Sequence, residues 1–313
     1  WTMQKGYPVV TVNCQGSRRL ELTQEKFNSN GRLSDADKTL LWAVPVQVIT
    51  AHNVQKPKSE ILFEKRNDFL ELDDTIDLQK EWIKLNPSAV ATYRVQYQPE
   101  ELFIRLFEEG IGQQKLDPVD RLNLINDLYS MTLAGRNNSE VLFRAIDSFR
   151  NECEYTVWTV ISIIMAKYNQ LLHGYDFHPK FVQFGSNLIT YKVFGEIGWD
   201  PKPAEPYLQT LLRPLLINRL VTFEYPEIIK KCQEAFDDHV TKRKSIPADL
   251  RSAVYRAMAH QSTEEIWDKF MKLYDETDLQ EEKNRLASSL GAVKKSEFID
   301  RVLKFAISVS FDS

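Results

Sequence analysis

Metal and nucleophile chemistry in proteins rests mainly on histidine, cysteine and carboxylate side chains, and in this sequence they are scattered. None of the five histidines, His52, His173, His178, His239 and His260, sits in an H-E-x-x-H helix or another tight ligand spacing. His173 and His178 bracket the turn-like Gly174-Tyr175-Asp176-Phe177, which predicts two surface imidazoles rather than a metal pair. Cys14, Cys153 and Cys232 are far apart, odd in number and without CxxC spacing, so reduced thiols are expected and no disulfide framework. Cys232 falls among Ile228, Ile229, Ala235 and Phe236 and reads as a small packing group on a helix. Neither Cys14 nor Cys153 has a sequence neighbour that would acidify a thiol. The adjacent acids Glu281-Glu282 and Asp73-Asp74 point in different directions on a helix or strand and form no acid–base pair. No G-x-G-x-x-G or Walker pattern is present to cradle a phosphate. The expectation is a chain with no catalytic, cofactor-binding or metal residues of its own.

Charge excludes further classes. The formal net charge of −4 gives no field that would gather nucleic acid. The densest basic run, Lys242-Arg243-Lys244, follows Asp237-Asp238 and reads as a solvated, partly balanced helix end. The longest apolar stretch, Val157 to Ala166, is too short to cross a bilayer and predicts a buried helix. Asn137-Asn138-Ser139 matches a glycosylation sequon but reads as a solvated loop. With 43% hydrophobic and 27% charged residues, an ordinary cytoplasmic globular protein is expected, with no nucleic-acid or membrane partner.

Two periodicities divide the chain. Residues 8 to 97 alternate with period two: the valines of Val44-Pro45-Val46-Gln47-Val48 share one face, as do Tyr93, Val95 and Tyr97. Short strands separated by turns such as Asn28-Ser29-Asn30-Gly31 predict two packed antiparallel sheets, a β-sandwich domain over residues 1–98. From Glu100 the period becomes helical. Asp117 as cap, Pro118 at the first turn and Gly135 at the end bound a helix with an apolar face of Leu122, Ile125, Tyr129 and Leu133. Further faces follow at Leu142/Ile146/Phe149, Val157/Ile161/Ile164, Leu208/Leu211/Leu212/Leu215 and Ile266/Phe270/Leu273. Helix after helix with short links predicts an all-α domain over residues 99–313, antiparallel helix pairs in a superhelical, solenoid-like array.

Several segments carry a resemblance. Trp1-Thr2-Met3-Gln4-Lys5-Gly6-Tyr7-Pro8-Val9, Trp42-Ala43-Val44-Pro45-Val46, Trp82-Ile83-Lys84-Leu85-Asn86 and Tyr93-Arg94-Val95-Gln96-Tyr97 fall in the order found in the zinc aminopeptidase family. Asn151-Glu152-Cys153-Glu154-Tyr155, Gly198-Trp199-Asp200-Pro201-Lys202-Pro203 and Gln280-Glu281-Glu282-Lys283-Asn284-Arg285 are similar to its puromycin-sensitive branch. Ala91-Thr92 depart from the family pattern, where a glycine and an aromatic residue stand.

The resemblance implies a C-terminal, non-catalytic region that begins just after the catalytic domain and stops short of the last helices. It also implies a parent enzyme that uses zinc to remove N-terminal residues from peptides, with the catalytic domain of the same polypeptide as partner. The helices would form a concave wall over the active site and hold the distal part of the peptide. A peptide carboxylate on that wall calls for a fixed cation, and Arg213 and Arg251 are the candidates. Against this stands a stand-alone helical scaffold that binds a protein partner.

Overall fold

Strands come first and helices after in the computed structural model, which describes residues 3–57, 59–98 and 100–311. Trp1 and Thr2, in the segment quoted above, and residue 313 at the end of the helical domain lie outside the described residues. The strands are β1 (Pro8–Gln15), β2 (Arg19–Lys26), β3 (Val44–Thr50), β4 (Ser59–Phe63), β5 (Asn67–Glu71), β6 (Ile83–Leu85) and β7 (Arg94–Tyr97). They form two sheets, in the orders β5-β2-β1-β7 and β4-β3-β6.

Alternation decides the buried faces. Val44, Val46 and Val48 are wholly buried while Pro45 is exposed. Pro45, which has no N–H, is tolerated in a central strand because β6 pairs only with Val48–Thr50, beyond it. A wholly buried Gln24 on β2 donates to the carbonyls of Trp42 at 2.9 Å and Phe63 at 3.3 Å, so a strand of one sheet holds the end of a strand of the other. One expectation is corrected: β7 runs parallel to β1, Val9 facing Arg94 and Val12 facing Tyr97. The rest of the strand region separates the two in sequence, which leaves enough chain for the crossover that parallel pairing needs.

The chain divides into two compact units, Trp1–Lys167 with Tyr191–Val193, and Tyr168–Thr190 with Phe194–Ser313. The first contains the strands and the helices α1 (Asp35–Thr39), α2 (Glu100–Arg105), α3 (Pro118–Leu133) and α4 (Ser139–Asp147). The division itself falls inside α5 (Tyr155–Leu172). Pro118 opens α3 and Gly135 follows it at φ +72°, but Asp117 makes no side-chain cap. The buried stripe of α3 is Leu124, Ile125, Leu128 and Met131, with Leu133 61% exposed, so the helix is rotated from the face its leucines suggested. The reason is that Asp120 and Asp127 also point inward, to cations on the strand side.

In the second unit follow α6 (His178–Thr190), α7 (Val193–Ile197), α8 (Tyr207–Thr222), α9 (Pro226–Val240), α10 (Arg251–Gln261), α11 (Glu264–Glu276), α12 (Gln280–Leu290) and α13 (Ser296–Phe311). Helix α10 is central, packing against α8, α9, α11 and α12. Its buried residues include Ala253, Ala257 and Ala259, small enough to let neighbours approach on several sides. Phe236, Tyr255 and Phe270 from α9, α10 and α11 form an aromatic group with ring centroids 5.5 to 6.2 Å apart.

Candidate functional site

Helix α10 carries one of the two arginines singled out from the sequence, and its partners define the richest polar group of the second unit. Arg251, in the first turn of α10, donates from Nη1 to Glu282 Oε2 at 3.0 Å and from Nε to the Ile246 carbonyl at 3.2 Å. Tyr255, one turn on, donates its hydroxyl to Glu282 Oε1 at 2.6 Å and contacts His239 Nε2 at 3.2 Å. Arg285, on the same helix as Glu282, closes the set on the Glu282 carboxylate. Burial opposes ionisation of Glu282. The hydrogen bonds from Tyr255 and Arg251 and the charges of Arg251 and Arg285 outweigh it, so its pKa lies below the usual glutamate value. Burial raises the Tyr255 pKa, and the Glu282 contact adds to that. Burial, reinforced by Arg251, lowers that of His239.

Arg213, on α8, belongs to a different group. It is 3% exposed and ion-paired with Glu205, with a long contact of 3.5 Å to the Ile197 carbonyl. Arg213 Nε and Glu205 Oε2 have no hydrogen-bond partner, so the pair is imperfectly satisfied. The two arginines therefore sit in separate ion-pair networks. A peptide carboxylate reaching either would compete with a protein carboxylate already in place. Of the two, only Arg251 keeps appreciable side-chain exposure, at 25%.

A second charged group, in the first unit, was not singled out from the sequence. Lys84, on β6, is wholly buried and pairs with Asp120 on α3 at 2.9 Å, and its ammonium also donates to the Leu85 and Asn86 carbonyls. Asp127, two turns along α3, accepts from Arg94 at 2.9 Å and from the Val95 amide at 3.0 Å. Burial lowers the Lys84 pKa and pushes that of Asp127 up to about 6. Nearby, Arg121 forks onto Glu152 at 2.7 and 2.9 Å. A lysine in an apolar strand pattern gave no hint of this in one dimension. Only the pairing of β6 with α3 brings Asp120 to it.

Among the described residues no three His, Cys, Asp or Glu side chains converge as metal ligands, so the residues present do not fit a zinc site. His173 and His178 lie with ring centroids 5.5 Å apart, and His178 Nε2 is 2.9 Å from Asn169 Oδ1. Cys232 is buried and its thiol is pushed up to about 12, far from a nucleophile. Burial also raises that of Cys14. Asn138 caps α4, accepting from the Val141 amide at 2.9 Å. No helix among the described residues is long and apolar enough to cross a membrane.

The remaining feature that sequence reasoning passed over is Arg256, which lines an open polar cleft between α10 and α12. An exposed arginine in a helix carries no signal by itself.

Residues 82–313 match the family model described as the ERAP1-like C-terminal domain. Over 98% of its length the chain is 29% identical to Aminopeptidase M1 of Arabidopsis thaliana, covering 36% of that protein. It is 31% identical to Aminopeptidase M1-A of Oryza sativa subsp. japonica, over 98% of this chain and 35% of the relative. With the Puromycin-sensitive aminopeptidase of Caenorhabditis elegans the identity is 26%, over 97% of this chain and 32% of the relative. The chain thus spans about a third of the length of these relatives.

Proposed function

From the premise that the chain belongs to the ERAP1-like C-terminal domain family, we propose that it is the C-terminal, non-catalytic region of a zinc aminopeptidase that removes N-terminal residues from peptides. The observation that carries this reading is the similarity to aminopeptidases along almost the whole chain, over only a third of their length. The strand region would be a β-sandwich and the helices a solenoid-like wall over the active site, holding the distal part of the peptide. Zinc and the water it activates would belong to the catalytic domain of the same polypeptide, its partner. Three cysteines with no disulfide between them among the described residues suit a reducing, cytoplasmic setting. Arg251, the more exposed of the two arginines, is the better placed to meet a peptide carboxylate, and Arg213 serves to fix α8.

The test is a zinc determination and an aminoacyl-fluorophore assay on the 313-residue chain beside the full polypeptide. Zinc and turnover are expected only in the full polypeptide. Stoichiometric zinc with turnover in the 313-residue chain overturns the reading.

A further inference from the structure

The cleft between α10 and α12 has a volume of about 350 Å³ and is open to solvent. Helix α10 contributes Ser252 and Arg256, one turn apart, α12 contributes Asn284, Arg285 and Ser288, and α8 contributes Asn218, whose amide N–H is taken by the Pro214 carbonyl. The Arg256 guanidinium and the hydroxyls of Ser252 and Ser288 have no hydrogen-bond or ion-pair partner among the described residues. Asn284 accepts from Gln280 through Oδ1 at 2.9 Å, and its own N–H groups have no partner among the described residues. Arg285 is engaged by Glu281 and Glu282, and Glu281 is the one carboxylate that lines the cleft. Donors therefore outnumber acceptors, and the free charge is positive.

Two neighbours register that charge. Arg219, on α8, has its pKa brought down to about 10, by burial and then by Arg256. His260, one turn beyond Arg256, is lowered by burial and then by the same guanidinium. Its Nδ1 is buried without a partner. An anion entering the cleft at Arg256 relieves its repulsion with Arg219.

The geometry points to an oxyanion site at this cleft, with Arg256 as its principal cation and a dianionic tetrahedral group, a phosphate or phosphate monoester, as its ligand. Single donors from four side chains on two helices suit the several oxygens of a tetrahedral anion better than the one planar edge of a carboxylate. The site lies wholly within the second unit and does not depend on the peptidase reading. The phosphate comes either from a free phosphorylated solute or from a phosphorylated side chain on a peptide.

The test is calorimetric titration of the 313-residue chain with inorganic phosphate at neutral pH, against chloride and acetate at equal ionic strength. Saturable binding is expected with phosphate and not with the monovalent anions, weakening as salt rises. Arg256→Gln should weaken it by roughly tenfold or more. Ser252→Ala with Ser288→Ala, which leaves every charge in place, should weaken it by a smaller factor. A phosphoserine peptide beside its unphosphorylated twin separates the sources: tighter binding than free phosphate assigns the site to peptide, and equal or weaker binding to a free solute. Heats no different from chloride, acetate binding as tight as phosphate, or full affinity in folded Arg256→Gln overturn the proposal.

Discussion

The first unit and the second unit both place charge in their interiors, but they complete it differently. In the first, Lys84 pairs with Asp120 and Arg94 with Asp127, so each of these buried charges has a partner of opposite sign. In the second, Glu282 gathers Arg251, Tyr255 and Arg285, while the guanidinium of Arg256, the residue after Tyr255, is left facing water. Charges closed upon one another fix strand against helix. A charge of one sign left open at a cleft is free for a ligand.

The sharpest break in that comparison comes from the closed cluster. Lys84→Met keeps the volume but strands Asp120 and the Leu85 and Asn86 carbonyls in a buried site. Losing one partner of a buried pair costs about 3 to 5 kcal/mol, so a large drop in the urea midpoint of the chain is expected. A midpoint within error of the unsubstituted chain would mean that the cluster does not hold the unit together.

Next in size is a pH effect at Asp127. Its folded pKa, about 6, lies above the ordinary 3.8. The folded state therefore holds the proton more tightly. The stabilisation this gives is fully present below about pH 4 and is lost as pH rises through about 6. The stability of the unsubstituted chain relative to Asp127→Asn should fall by about 3 kcal/mol across that window and stay level above it. Unfolding curves at a series of pH values check this, and a difference that is flat or rises with pH contradicts it.

Arg251→Ala should cost less, about 1 to 2 kcal/mol, because Tyr255 and Arg285 still serve Glu282. In the full polypeptide the same variant separates two roles. A raised KM for peptides at unchanged kcat carries a substrate contact, and unchanged kinetics restrict Arg251 to holding α10 against α12.

How much of this was legible in one dimension follows from the physics of each signal. The valines of β3 announced their buried face because a strand has period two and β3 lies between two partners. Leu142, Ile146 and Phe149 were equally plain, and all three are buried. The face of α3 was misread because leucines were weighed and aspartates were not. Asp120 and Asp127 turn inward only because Lys84 and Arg94 arrive from strands that are distant in sequence. The parallel pairing of β7 with β1 is likewise set by long-range closure and leaves no local trace. Arg213 and Arg251 are the cations a peptide carboxylate would call for, and both have carboxylate partners. Arg256 differs from them by lacking one among the described residues, and a partner's absence is not written in sequence.

The contrast between closed and open charge is tested most directly by urea unfolding of the chain and of Arg256→Gln, each with and without phosphate. A ligand that binds only the folded state raises the midpoint. The two midpoints should agree without phosphate, since an exposed substitution changes stability by about 0.5 kcal/mol or less, and phosphate should then raise that of the unsubstituted chain alone. A variant already destabilised without phosphate, or equal upward shifts in both proteins, would contradict the account.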